Sequence, residues 1–233
     1  MNAVTLATLL AVATLPPFSA ATPGGALPAG WRVIPVPHAN AAEVSLEADG
    51  TTTVVKIAAR AAGSSVAHSL RAEVDDTRLR WRWKIDRTVA TANLETRAGD
   101  DYAARVYVTF DVPLDRLSFA ARTRMRIARF LYGPDVPVAA LCYVWDNRHA
   151  AGTQAWNAYS DHVRMVVVES GDARAGRWVD ESRDIGADYR AAFGARWPGP
   201  LPKLSGIAVS ADTDQTAESV TAWFGDMRLE RTP

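Results

Sequence analysis

The chain is poor in the residues that most often announce a function. Of its 233 residues only Cys142 is a cysteine, which excludes an intramolecular disulfide and leaves stability to a hydrophobic core that this length can build. Cys142 lies in the apolar run VAALCYVWD, the setting of a buried, inert thiol rather than a nucleophile. Neither sign of charge is in excess: Lys+Arg and Asp+Glu stand at 26 each, so no net field draws the chain to nucleic acid or an anionic membrane. The four histidines, His38, His68, His149 and His162, are scattered without zinc-ligand spacing. The serine-hydrolase elbow is missing, since AAGSSVAH lacks the second glycine, and neither a phosphate loop nor a dinucleotide fingerprint is present. No stretch reaches the ~20 apolar residues of a transmembrane helix.

What is present begins with a short apolar segment, VTLATLLAVATL, at residues 4–15. Its length and the small residues Ser19 and Ala21 predict a signal peptide over 1–21, cleaved after Ala21, although no basic residue precedes it. That places the protein in the periplasm or outside the cell. The Pro/Gly-rich stretch TPGGALPAG at 22–30 reads as a linker, and 31–233 as a single domain. Within it short alternating runs dominate. LRWRWKID sets Leu79, Trp81, Trp83 and Ile85 against Arg80, Arg82 and Lys84, and AARVYVTFD sets Val106, Val108 and Phe110 against Arg105, Tyr107 and Thr109. Asp49-Gly50 marks a hairpin, and the doubly apolar VAALCYVWD and VRMVVVES suit central strands. About ten such strands without strand–helix alternation predict an all-β fold, an antiparallel β-sandwich or jelly roll. Two helices interrupt it. One is a basic amphipathic segment over 114–131, an insertion closed by Gly133-Pro134. The other is a shorter helix over 184–193, capped by Asp184 with Tyr189 and Phe193 inward.

The chemistry-bearing residues gather on the non-core strand faces and in two acidic turns. If these strands share a sheet, Arg82, Arg105, Tyr107, Asp212 and Trp223 form one polar, aromatic surface suited to a carbohydrate or similar polar ligand. In AGDDYAARVY, Asp100 and Asp101 point to opposite faces, one free to take backbone N–H groups and the other to pair with Arg105 or a cation. SADTDQTAESVTAWFGDM closes the chain with Asp212, Asp214 and Glu218, and Gly225-Asp226 reads as a bulge. Asp100, Asp212, Asp214 and Glu218 supply the hard oxygens that calcium takes. Asp101 with Asp212 or Asp214 offers a carboxylate pair for glycoside chemistry, which needs about 5–10 Å between the groups.

LRWRWKID, AGDDYAARVYVTFD, VVVESG and SGIAVSADTDQT…AWFGD together resemble a family of bacterial exported proteins, the domain of unknown function DUF3047, over about residues 31–230. Gln215 stands where asparagine is usual, and AWFGD where AWYGD is. The resemblance implies one exported β-rich domain and no particular activity. The pattern is also similar, at the level of fold, to the galactose-binding-like jelly roll of carbohydrate-binding modules. Three readings stay open. The first is a non-catalytic binder of carbohydrate, the second a polysaccharide hydrolase or lyase using Asp101 and Asp212 or Asp214, and the third a structural envelope protein.

Overall fold

In the computed structural model, which describes residues 14–36, 38–117, 119, 122–123 and 138–231, the chain folds into two facing β-sheets. Its strands are β1 (Trp31–Pro35), β2 (Asn40–Ala41), β3 (Glu43–Asp49), β4 (Thr52–Arg60), β5 (Ala62–Ala72), β6 (Thr77–Ile85), β7 (Tyr102–Asp111), β8 (Ala139–Asp146), β9 (Gln154–Asn157), β10 (Ser160–Ser170), β11 (Val179–Asp184), β12 (Lys203–Asp212), β13 (Ser219–Phe224) and β14 (Arg228–Arg231). The larger sheet runs β1-β5-β12-β7-β8-β10-β9, with β2 also on β5. The smaller runs β11-β6-β13-β4-β3, with β14 also on β6. The all-β sandwich expected from the alternation is the fold. The described strands outnumber the expected set because β2, β9 and β14 are too short to show a period. Pairing is antiparallel apart from β2 on β5 and β8 on β10.

Side-chain alternation decides what lies between the sheets. Leu79, Trp81, Trp83 and Ile85 of β6 are buried while Arg80, Arg82 and Lys84 point outward. From the opposite sheet Tyr143 stacks on Trp81 at 5.4 Å between ring centroids, and Trp145 lies 5.7 Å from Trp83. This aromatic layer fixes the separation of the sheets. β8 is buried along its whole length, as its unbroken apolar run requires. Cys142 within it is a free, buried thiol whose pKa burial pushes up to about 12, the Arg105 charge opposing the shift.

The Asp49-Gly50 signal becomes the β3–β4 hairpin, closed by Gly50 and Thr51 with Gly50 at a φ of 61°. Helix α1 (Ile185–Phe193) starts where Asp184 accepts the Ala187 N–H at 2.9 Å. Tyr189 packs on Phe110 at 4.8 Å and Phe193 on Trp197 at 5.2 Å. Over the predicted helix at 114–131, Leu114–Arg116 forms one 3-10 turn; most of the rest of that segment lies outside the described residues. Residues 225–227 face Trp81 and Arg82 between the Phe224–Trp83 and Arg228–Arg80 pairs, the bulge expected at Gly225.

Most of the predicted leader lies outside the described residues, but its last part packs on the sandwich. Phe18 is fully buried 4.6 Å from the Trp31 ring, and the Trp31 indole N–H donates to the Pro16 carbonyl at 2.9 Å. Ser19 donates through its N–H and its hydroxyl to Asp226 at 2.9 and 2.6 Å. Among the described residues no helix is long and apolar enough to cross a membrane.

Candidate functional site

Neighbouring strands β7 and β12 place Ser210 opposite Arg105 and Ala208 opposite Tyr107, so the polar alternates of both strands share the outer face of the larger sheet. Nearer the strand ends the register slips: Asp212 pairs with Tyr102, leaving Ala103 and Ala104 opposite Ala211 alone. This bulge shifts the parity of β7 and brings the Tyr102 ring under the Arg105 guanidinium, 4.6 Å from its centroid. Arg105 is only 2% exposed. It donates to the Tyr107 hydroxyl at 3.0 Å and to the Asp100 carbonyl, and it pairs with Asp212 Oδ2 at 2.9 Å and Asp100 Oδ1 at 3.4 Å. A buried charge needs such partners, and the guanidinium fork can serve several at once. Burial is the largest single influence on Arg105 and opposes its charge, but Asp212, Tyr107 and Asp100 together outweigh it and hold the guanidinium protonated, its pKa raised well above the ordinary value.

The two aspartates of the β7 turn divide as their opposite facing predicts. Asp100 faces outward, pairing with Arg105 and accepting the Asn157 side-chain amide at 2.8 Å. Asp101 turns inward and is fully buried. Its Oδ2 accepts the N–H groups of Gln215 and Thr216 at 3.0 and 2.6 Å, fastening the loop after β12 to the start of β7. Burial raises the Asp101 pKa, the Asp214 charge adds to the shift, and the Thr216 contacts and Arg105 oppose it. Asp212 accepts the Tyr102 N–H at 3.2 Å; its pKa is raised to about 7, first by burial, with Arg105 pulling it back and Asp101 and Asp100 adding to the rise. The acidic turns at 99–101 and 212–218 therefore meet in space.

Above this network lies a cleft of about 760 Å³. Arg105, Tyr107, Asp100, Asp212, Asp214 and Ser210 line one part, Asn157, Tyr159 and Val163 another, and Val36, His38, Ser65 and Gln215 complete it. Tyr159 is 53% exposed. Its hydroxyl donates to the Arg97 carbonyl at 3.2 Å, and the Arg97 guanidinium lies 5.2 Å from its ring. Asn157 and Tyr159 escaped the sequence reading. Their signal was weak: an Asn-Ala-Tyr turn beside a short strand, indistinguishable from any polar hairpin tip.

Arg82 and Trp223 do not join this cleft, because β6 and β13 belong to the smaller sheet and point these side chains out of its far face. There Arg82 lies 4.3 Å from the Trp178 ring and pairs with Asp49 at 3.6 Å, while the Trp223 indole donates to Glu47 at 2.7 Å. Glu218 is also turned elsewhere, accepting the N–H groups of Ala90 and Thr91 at 3.0 and 2.9 Å and the Thr91 hydroxyl at 2.7 Å. The single surface from Arg82 to Trp223 thus separates into two, on opposite sides of the sandwich.

Fold and site together define a two-sheet β-sandwich with a polar, carboxylate-rich cleft on the outside of its larger sheet. More particularly, the chain belongs to the family described as Protein of unknown function (DUF3047), which matches residues 29–228. No curated protein matches the sequence. Similar solved structures include the catalytic domain of Humicola grisea Cel12A in complex with a thio cellotetraose, at 13% identity and a TM-score of 0.45, covering 86% of this chain and 92% of that one. The xyloglucanase domain of NopAA from Sinorhizobium fredii, in complex with cellobiose, has 5% identity and a TM-score of 0.46, covering 87% and 94%. TmCBM61 in complex with beta-1,4-galactotriose has 11% identity and a TM-score of 0.35, covering 88% and 90%. A likeness at this level carries no functional argument.

Proposed function

We propose that the cleft on the larger sheet binds a carbohydrate or a similar hydroxyl-rich ligand without cleaving it. The observation that carries this reading is the exposed Tyr159 ring in a cleft otherwise rich in directional polar groups. An aromatic face accepts the C–H surface of a sugar ring, while Asn157, Gln215, Asp100 and Asp212 can bond its hydroxyls. Arg105 acts beneath them as a positioning residue, because its guanidinium is spent on Asp100, Asp212 and Tyr107. Binding is favoured over hydrolysis because Asp101, one half of the expected carboxylate pair, has no exposed surface with which to meet a glycosidic oxygen. The apolar run at 4–15 supports export to the periplasm or the medium, which cell fractionation and N-terminal sequencing of the recovered protein test; recovery from the cytoplasm alone overturns it.

The binding test is a glycan array followed by calorimetry on the strongest hit. Tyr159→Ala is expected to weaken binding by about tenfold or more, the equivalent of about 1.4 kcal/mol, without changing the fold. Binding that survives Tyr159→Ala but falls in Trp223→Ala would move the site to the far sheet and overturn the assignment. Turnover of any polysaccharide, abolished by Asp212→Asn, would overturn the non-catalytic reading. No glycan bound at all would favour a structural role in the envelope.

A further inference from the structure

Beneath the cleft, where β7 begins and the loop after β12 folds over it, Asp101, Asp212 and Asp214 each turn an oxygen toward a common point. The three oxygens lie within 4.8 Å of one another. Acidic clusters are common on protein surfaces, but two of these three carboxylates, Asp101 and Asp212, are buried. Asp101 is fully buried and its Oδ1 has no hydrogen-bond partner. Asp214 Oδ1 is equally sealed and unpartnered, although its Oδ2 takes the Gln215 side-chain amide. The Thr216 hydroxyl sits beside Asp101 and also lacks a partner at hydrogen-bond geometry. An orphaned buried oxygen is costly, more so when charged, so three where these two turns meet require an explanation.

The charge balance points the same way. Asp100, Asp101, Asp212 and Asp214 gather around one guanidinium, that of Arg105, which pairs with Asp100 and Asp212 and leaves Asp101 and Asp214 outside its ion pairs. The backbone is also brought in close: a Cβ on Gly63 would stand 3.3 Å from Asp214 Oδ1 and 3.0 Å from the Asp212 Cβ. We propose that Asp101, Asp212 and Asp214 hold a divalent cation that ties the 212–218 loop to the start of β7. The ligand set names the ion class. All three donors are carboxylate oxygens, with neither nitrogen nor sulfur, which is hard-cation chemistry. Calcium fits better than magnesium, because it accepts irregular geometry and either carboxylate mode and can complete its shell with the Thr216 hydroxyl and water. Relative to the set expected from sequence, Asp101 enters, and Asp100 and Glu218 leave for partners of their own.

The test uses the full chain stripped with EDTA, followed by thermal melting and calorimetry with calcium, magnesium or manganese. At calcium about 100-fold above its Kd, Tm is expected to rise by about 5–10 °C. Asp214→Asn, on the half-exposed side of the cluster, should fold with an unchanged circular dichroism spectrum and lose that rise. Glu218→Gln should keep it. The proposal is overturned if none of the three cations binds or shifts Tm, or if Asp214→Asn responds to calcium as the parent does. Because no glycan enters this experiment, it stands or falls apart from the carbohydrate reading.

Discussion

Arg105 is the residue on which the cleft depends. A guanidinium at 2% exposure is stable only while Asp100, Asp212 and Tyr107 surround it, and those three lose their common anchor if it goes. Removing one partner of a buried ion network typically costs about 3–5 kcal/mol, so urea denaturation of Arg105→Ala should show a loss of that size. Arg105→Lys should recover only part of it, because one ammonium cannot reach all three partners. A loss below about 1 kcal/mol in the alanine variant would show that the network does not hold the floor together. Much of this floor was legible in the sequence: alternation turned Arg105, Tyr107 and Asp212 away from the core, and adjacency sent Asp100 and Asp101 to opposite sides. The Tyr102 contact was not legible, since it needs a bulge between two alanines that carry no signal of their own. A second residue gives a pH test. Glu181 faces the core beside Trp81, and burial pushes its pKa up to about 7, Glu169 adding to the rise while Arg174, Trp83 and Arg183 oppose it. The native state then holds a proton that the unfolded chain releases near 4.5, so this group's contribution is present below that pH and is lost as pH rises through about 7. Thermal melts of Glu181→Gln should match the parent near pH 4 and exceed it near pH 8; superimposable profiles would contradict the assignment.

At the scale of elements, alternation fixes which face a residue occupies but not which strand lies beside it. That is why β6 and β7, both read as alternating strands, were expected to contribute to one surface and instead stand in different sheets. Partner choice here is made by contacts remote in sequence, such as Trp81 with Tyr143, which no local pattern encodes. Local chemistry served better at element ends. The Asp184 cap and the Tyr189–Phe193 pair were both expected from spacing; the first starts α1, and the second packs it on the larger sheet through Tyr189 against Phe110. Replacing Asp184 by alanine removes the acceptor of the Ala187 N–H and should lower stability by about 1 kcal/mol, read as a shift in the urea midpoint at unchanged slope. Asp184→Asn, which keeps an acceptor oxygen, should recover most of it; equal losses in both would assign the effect to charge rather than to capping.

Across the whole molecule, the two sheets present different outer faces to different surroundings. The larger carries the cleft, whereas the smaller packs Arg82 and Lys84 against the rings of Trp178 and Trp223, with both cations paired to Asp49 and the Trp223 indole bonded to Glu47. Between them the core is closed partly by chain outside the main strand order. Phe18 fills a place against Trp31, and Ser19 clips the same segment to Asp226, 207 positions away in the sequence. Sequence reading assigned these residues to a leader, because a short apolar run followed by small residues has the same composition whether it is removed or packed. Their burial makes a quantitative prediction. Phe18→Ala leaves a cavity beside an aromatic ring and should cost about 3–5 kcal/mol. A chain starting at Thr22 loses the same packing together with the Trp31–Pro16 and Ser19–Asp226 hydrogen bonds. It should therefore melt at least about 6 °C below a chain starting at Thr14, at about 2–4 °C for each kcal/mol in a domain of this size. Equal melting temperatures for the two chains would mean that the sandwich closes over Trp31 without this segment.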